Sequence, residues 1–301
     1  MTNDWKGTGI ALVTPFREDG AIDYSALEKI IDYQICNHAG YLVVMGTTGE
    51  TATLTAEEKK QLAGFVKETV KSRVPLVYGL GGNYTSALIE NIRQTDFSGY
   101  SALLSVTPYY NKPQQEGLFR HFLEVAGVSP IPVILYNVPG RTGVNLTAET
   151  TLRLARASGK FCAIKEASGN LDQMAMILKE RPKDFLLLSG DDNLTLPILA
   201  MGGDGVISVV ANVFPGPFSH MVNLSLEGDF RQARRIHLDL FEFTNLLFAN
   251  GSPAGAKAAL AGMGFCQEIL RLPLVPVSPE YKDKITNLMK TILSQYPIQS
   301  I

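Results

Sequence analysis

The sequence predicts an α/β protein: a (β/α)8 TIM barrel carrying a small C-terminal helical domain. Three observations predict it. Short apolar runs without polar alternation recur along about the first 225 residues, as in parallel strands covered on both faces. Each run is followed by a polar or glycine turn and then an amphipathic stretch, the βα repeat of a parallel sheet. After Val210 the alternation stops and only helical patterns remain.

The apolar runs are Ile10–Thr14, Tyr41–Met45, Pro75–Tyr78, Ser101–Val106, Val133–Tyr136, Phe161–Ile164, Phe185–Leu188 and Gly205–Val210. Eight such units predict a closed barrel. A doubly wound sheet is the alternative, but "ALVTPFREDG" after the first run lacks the glycine-rich dinucleotide turn of that class. Between the runs lie helical patterns such as Ala56–Lys71 and Ser86–Asp96. Asp23 and Thr55 stand at N-cap positions, and Glu58 completes a capping box with Thr55. Beyond the barrel, Pro215–Leu226, Phe230–Ala249, Pro253–Met263 and Pro279–Ser294 read as helices. The expected division is residues 1–225, the barrel with its site, and 226–301, a helical domain.

Composition narrows the function. In 301 residues, 46% are hydrophobic and 19% charged, which suits a globular protein with a sizeable core. A net charge of −2 provides no basic field for nucleic acid or an acidic membrane. No apolar run approaches the roughly 20 residues of a membrane span, and the first residues show no secretory leader. Cys36, Cys162 and Cys266 are odd in number and set among apolar residues, as reduced core thiols of a cytoplasmic protein would be.

Barrel enzymes place their chemistry at the C-terminal ends of the strands. Those ends carry Thr14, then Thr47-Thr48-Gly49-Glu50, Gly81-Gly82-Asn83, Tyr109-Tyr110, Tyr136-Asn137, Lys165-Glu166, Gly190-Asp191-Asp192 and Ser208. Strand alternation turns Lys165 inward with Ala163 and Phe161, leaving Cys162 and Ile164 outward. The same count points Tyr136 inward with Ile134, and Thr47 with Met45 and Val43. All four histidines, His38, His121, His220 and His237, fall on helical patterns, so no metal site is expected. No nicotinamide, flavin or thiamine motif occurs. Glycines in "SGDD" and "MGGDGV" read equally as phosphate turns or as plain tight turns.

Lysine chemistry remains. An amine attacks a carbonyl only when deprotonated, and a dry interior disfavours the ammonium form. A tyrosine on the neighbouring strand can shuttle the protons, because its hydroxyl both donates and accepts. Lys165 and Tyr136 fit these roles. A buried ion pair of Lys165 with Glu166 or an aspartate is the other reading at this point.

"GTTGETATLTAEEK" from Gly46 and "YNVPGRTGVNL…FCAIKEASGN" from Tyr136 to Asn170 resemble the two signatures of the dihydrodipicolinate synthase/N-acetylneuraminate lyase family. The likeness runs nearly end to end, through "VTPYYNKPQQEG", "LSGDD" and "GVISVVANV". It implies a pyruvate-dependent class I aldolase on a (β/α)8 barrel with no cofactor and no metal. Within the family it implies condensation of pyruvate with L-aspartate 4-semialdehyde, an early step of lysine and diaminopimelate synthesis. By motif position, Lys165 would form the Schiff base, and Tyr136, Thr47 and Tyr110 a proton relay, with Tyr110 supplied by a neighbouring subunit. Thr48 and the main chain of Ile207 would hold the pyruvate carboxylate, Arg141 the carboxylate of the second substrate, and Gly190 would line the pocket. The resemblance also implies a cytoplasmic homotetramer, a dimer of dimers.

Threonine hydroxyls suit a small carboxylate, and the planar fork of arginine suits a second one. Tyr109-Tyr110 could instead plug a subunit interface, and Thr47-Thr48 could cap the helix that follows. Two departures from the family pattern stand out: Tyr41 where a small residue is usual, and Leu80 in place of a polar one. In lysine-inhibited relatives a glutamate and a histidine stand where this chain has Ala87 and Lys59, which implies weak lysine inhibition. The alternatives are a sugar-specific lyase of the same family, a silent ligand-binding barrel, and a phosphate-handling isomerase barrel.

Overall fold

The computed structural model describes residues 5–297. Residues 1–4, where the sequence reading sees no secretory leader, lie outside the described residues. Eight parallel strands close into a barrel in chain order. They are β1 (Gly7–Ala11), β2 (Tyr41–Val44), β3 (Leu76–Gly79), β4 (Ala102–Val106), β5 (Val133–Asn137), β6 (Phe161–Glu166), β7 (Leu186–Ser189) and β8 (Gly205–Ser208). β1 pairs with β8 to complete the circle, with Gly9 opposite Ile207. Almost every strand residue is buried, because helices cover the outside and side chains fill the inside.

The helical layer comprises α1 (Tyr24–Cys36), α2 (Ala56–Val70), α3 (Thr85–Gln94), α4 (Gln115–Val128), α5 (Pro139–Thr142), α6 (Ala148–Ala157), α7 (Leu171–Glu180), α8 (Thr195–Ala200) and α9 (Pro215–Leu226). Local signals set their starts. The Asp23 carboxylate accepts the Ala26 amide at 3.0 Å, and Thr55 and Glu58 cap α2 reciprocally. Pro215 opens α9, where a missing N–H costs nothing. After α9 come α10 (Phe230–Ala249), α11 (Ala254–Gly262) and α12 (Pro279–Gln295), which pack on one another, with α10 against α9.

Two apolar clusters result, one between strands and helices and one inside the barrel. The inner cluster includes Trp5, Tyr41, Val43, Ile134, Tyr136, Ala163, Leu188 and Ile207. Tyr41 explains its own departure from the family pattern. Its ring lies edge-on to Trp5 at 5.3 Å between centroids and fills the space over Gly9, where a Cβ would overlap it.

Five expectations need correction. Phe161 belongs to the outer cluster and Cys162 packs against the inner one. The cause is a bulge: Val133 pairs with Phe161 but Ile134 with Ala163, so Cys162 is an extra residue and alternation slips below Ala163. Met45 likewise lies in the outer cluster, because its backbone turns left-handed (φ 59°) as β2 ends. β1 begins and ends three residues earlier than read, which puts Thr14 beyond the strand. His38 sits in the turn after α1 with φ 70°, and Cys36 is exposed.

Candidate active site

Lys165 stands near the end of β6, 6% exposed, with Tyr136 as its partner on β5 and Leu188 on β7. Its Nζ lies 4.4 Å from the centroid of the Tyr136 ring. Ala163 below it is fully buried and small, leaving space for the lysine stem. Gly190 leaves space beside it: a Cβ there would fall 3.1 Å from Lys165 Cε and 2.7 Å from Ala167 Cβ. The Gly190 amide donates to the Glu166 carbonyl at 2.7 Å, fixing the turn after β7 against β6.

The ion-pair reading of Lys165 is not what the molecule contains. Among the described residues no carboxylate pairs with it. Glu166 turns away into a cage of donors. Asn137 Nδ2 lies 3.1 Å from both its oxygens, Gln173 Nε2 donates at 2.8 Å and the Ser168 amide at 2.8 Å. Burial pushes the Glu166 carboxyl up, and these hydrogen bonds oppose the push. Asn137 also accepts the Leu146 amide at 2.9 Å, so the cage ties the loop carrying Arg141 to β6. Arg141 itself is exposed in the short helix α5, at the mouth of the barrel.

After β2, Gly46 is extended and Thr47–Gly49 make a tight turn. Thr48 is 5% exposed, Thr47 exposed. Thr14 is a support here, its hydroxyl donating to the Gly49 carbonyl at 2.8 Å. Ile207, 1% exposed, closes the inner wall from β8. Tyr110 is 89% exposed with φ 73°, its amide 3.3 Å from the Thr142 carbonyl. Among the described residues no hydrogen bond joins Tyr110 or Thr47 to Tyr136. Residue by residue, then, the structure brings Lys165, Tyr136 and Gly190 together and puts Ile207 in the inner cluster with Tyr136; Thr48 and Arg141 lie on the loops after β2 and β5, and Thr47 and Tyr110 are exposed.

Sequence reasoning missed the role of Asp192. It is buried, and its Oδ2 accepts the Val209 and Val210 amides at 3.0 and 3.2 Å, holding the turn after β8. Burial lifts its carboxyl to about 6 against these bonds. Two acidic residues directly after "SG" were the available signal. Among the described residues no three His, Cys, Asp or Glu side chains converge as a metal site, and no helix is long and apolar enough to cross a membrane.

The profile of the Dihydrodipicolinate synthetase family matches residues 4–292. The chain belongs to this family. A dihydrodipicolinate synthetase relative from Parabacteroides distasonis, 4-hydroxy-tetrahydrodipicolinate synthase, is 51% identical over 95% of this chain and 97% of its own. The crystal structure of dihydrodipicolinate synthase from Aquifex aeolicus superposes with a TM-score of 0.91 at 39% identity, covering 98% of this chain and 100% of that one. A chloride-inhibited dihydrodipicolinate synthase from Acinetobacter baumannii, complexed with pyruvate, superposes with a TM-score of 0.92 at 36% identity, covering 95% and 98%.

Proposed function

We propose that this enzyme condenses pyruvate with L-aspartate 4-semialdehyde through a Schiff base on Lys165. The product is 4-hydroxy-tetrahydrodipicolinate, an early intermediate of lysine and diaminopimelate synthesis. The observation that carries the reading is the unpaired Lys165 amine, 6% exposed and 4.4 Å from the Tyr136 ring, at the catalytic end of the barrel. The relatives named above, one of them complexed with pyruvate, support the substrate.

The chemistry follows in order. The Lys165 amine adds to the pyruvate ketone, and the carbinolamine loses water to give an imine. Tyr136 carries protons in both steps, in a relay completed by Thr47 and by Tyr110 from a neighbouring subunit. The imine accepts the electron pair when a methyl proton leaves, and the enamine so formed attacks the aldehyde carbon. The amine of the second substrate then displaces Lys165 from the imine carbon, closing the ring and freeing the enzyme. Thr48 and the Ile207 main chain hold the pyruvate carboxylate, Gly190 lines the pocket, and Arg141 receives the carboxylate of the semialdehyde. The lysine is itself the electron sink, so no cofactor enters. A sugar lyase of the same family is less favoured, because Arg141 in "PGRTG" presents a carboxylate partner, not a hydroxyl partner.

The exposure of Tyr84, Tyr109 and Tyr110 (67%, 43% and 89%) supports assembly through this face; a cytoplasmic homotetramer of two dimers is what the resemblance implies for it. A single-chain particle in sedimentation would overturn the assembly. For the chemistry, pyruvate with borohydride should label Lys165 alone, read by peptide mass spectrometry. Label elsewhere, or none, refutes the function.

A further inference from the structure

Glu50 ends the Thr47-Thr48-Gly49 turn, and its side chain has no exposed surface. Its backbone is left-handed, φ 52° and ψ 34°, a conformation uncommon for a residue with a Cβ. Its amide donates to the Thr47 carbonyl at 3.1 Å, and its own carbonyl accepts the Thr53 amide at 2.9 Å. The partners of its side chain come from the far end of the chain. Glu50 Oε1 accepts from Lys257 Nζ on α11, and Oε2 accepts the Arg271 amide at 3.1 Å.

Lys257 is as buried as its partner. Its Nζ also donates to the Ile269 carbonyl at 2.8 Å and sits 4.1 Å from the centroid of Phe16. The Arg271 guanidinium covers the same ring at 4.5 Å. It donates to the Gly20 carbonyl, to the Thr53 carbonyl at 2.9 Å and to the Glu58 carboxylate. The turn after β2, the loop after β1 and the C-terminal segment therefore meet around Lys257 and Arg271.

A buried ion pair adds little net stability over an apolar pair of the same volume, so stability alone does not account for it. Direction does: an ammonium and a backbone amide aimed at the two oxygens hold the Glu50 side chain to one orientation. We propose that Lys257, assisted by Arg271, is a positioning residue for the reaction, clamping Glu50 so that the Thr47-Thr48 turn stays at the height of Lys165. The C-terminal helices are on this account part of the construction of the pyruvate subsite. The proposal rests on the reading above that Thr48 receives the pyruvate carboxylate.

The test uses the full chain with Lys257→Met and with Lys257→Met combined with Glu50→Gln. The double variant leaves no unpaired charge and carries the test should the single one not fold. Melting curves, steady-state kinetics and borohydride trapping of pyruvate are compared. In whichever variant is folded, the pyruvate concentration for half-maximal trapping should rise at least tenfold, while the KM for the semialdehyde stays within twofold. The double variant should regain melting temperature without regaining pyruvate affinity. A folded variant that traps pyruvate at the parental concentration overturns the proposal, whatever its melting temperature. Failure of the parent itself to trap pyruvate would fault the functional reading instead.

Discussion

Gly190→Ala places one methyl group where the structure has room for none. The new Cβ would stand 2.7 Å from Ala167 Cβ, 3.1 Å from the Glu166 carbonyl oxygen and 3.1 Å from Lys165 Cε. Carbon atoms rest about 3.5–4.0 Å apart, so Lys165 Cε must retreat by about 0.4 Å and Ala167 by about 0.8 Å. The backbone offers no easy relief, because the Gly190 amide is bound to the Glu166 carbonyl at 2.7 Å. Overpacking of this kind costs about 1–3 kcal/mol of stability. A misplacement of 1 Å at a reacting group costs about 10²-fold in rate, so a retreat near 0.4 Å should lower kcat/KM about tenfold. Schiff-base trapping on Lys165 should slow with it. The assay is steady-state turnover below the melting transition, with trapping run in parallel. Parental kcat/KM in a folded Gly190→Ala protein would show that Gly190 does not bound the lysine stem.

Three further predictions concern other parts of the site. Arg141→Ala should raise the KM for L-aspartate 4-semialdehyde by about 10–100-fold, the loss of a charge-assisted hydrogen bond, and leave that for pyruvate within twofold; equal shifts would make Arg141 structural. Asp192 has its carboxyl lifted from 3.8 to about 6, so the native state binds a proton there that the unfolded chain releases, and this group favours the fold more as pH falls from about 7 to 4. The stability difference between Asp192→Asn and the parent should therefore move in the parent's favour over that range by up to about 3 kcal/mol, and a pH-independent difference refutes the assignment. L-lysine at millimolar concentration should inhibit weakly, since Ala87 is exposed and lacks a carboxylate while Lys59 adds a cation; half-inhibition well below a millimolar would show a rebuilt site.

Much of this was legible in the chain because barrel strands advertise themselves by continuous apolarity. α9 and α10 carry their limits in sequence, Pro215 opening one and the Asp229 carboxylate capping the other. The pairing of Tyr136 with Lys165 followed from alternation alone. Alternation failed at Phe161 and Cys162, because a bulge is a property of two strands together and nothing in either announces it. The partner of Glu50 was illegible for a similar reason: Lys257 sits 207 residues away in a helix of small apolar residues. Asp192 stood in sequence only as one of the residues at the end of the seventh strand, and the two amides it accepts come from beyond β8, 17 and 18 residues on.

The ring of Tyr41, wedged over Gly9 and stacked edge-on with Trp5, has a consequence for traffic. It fills the barrel interior at the start of β2, away from the rim where Arg141 stands. A semialdehyde that docked there first would bar pyruvate from Lys165. On the proposed mechanism an approach from that rim sets the order: the smaller substrate goes in and is fastened covalently before the larger follows. Excess semialdehyde should compete with pyruvate for admission, and the ring product has to back out the way its precursors came.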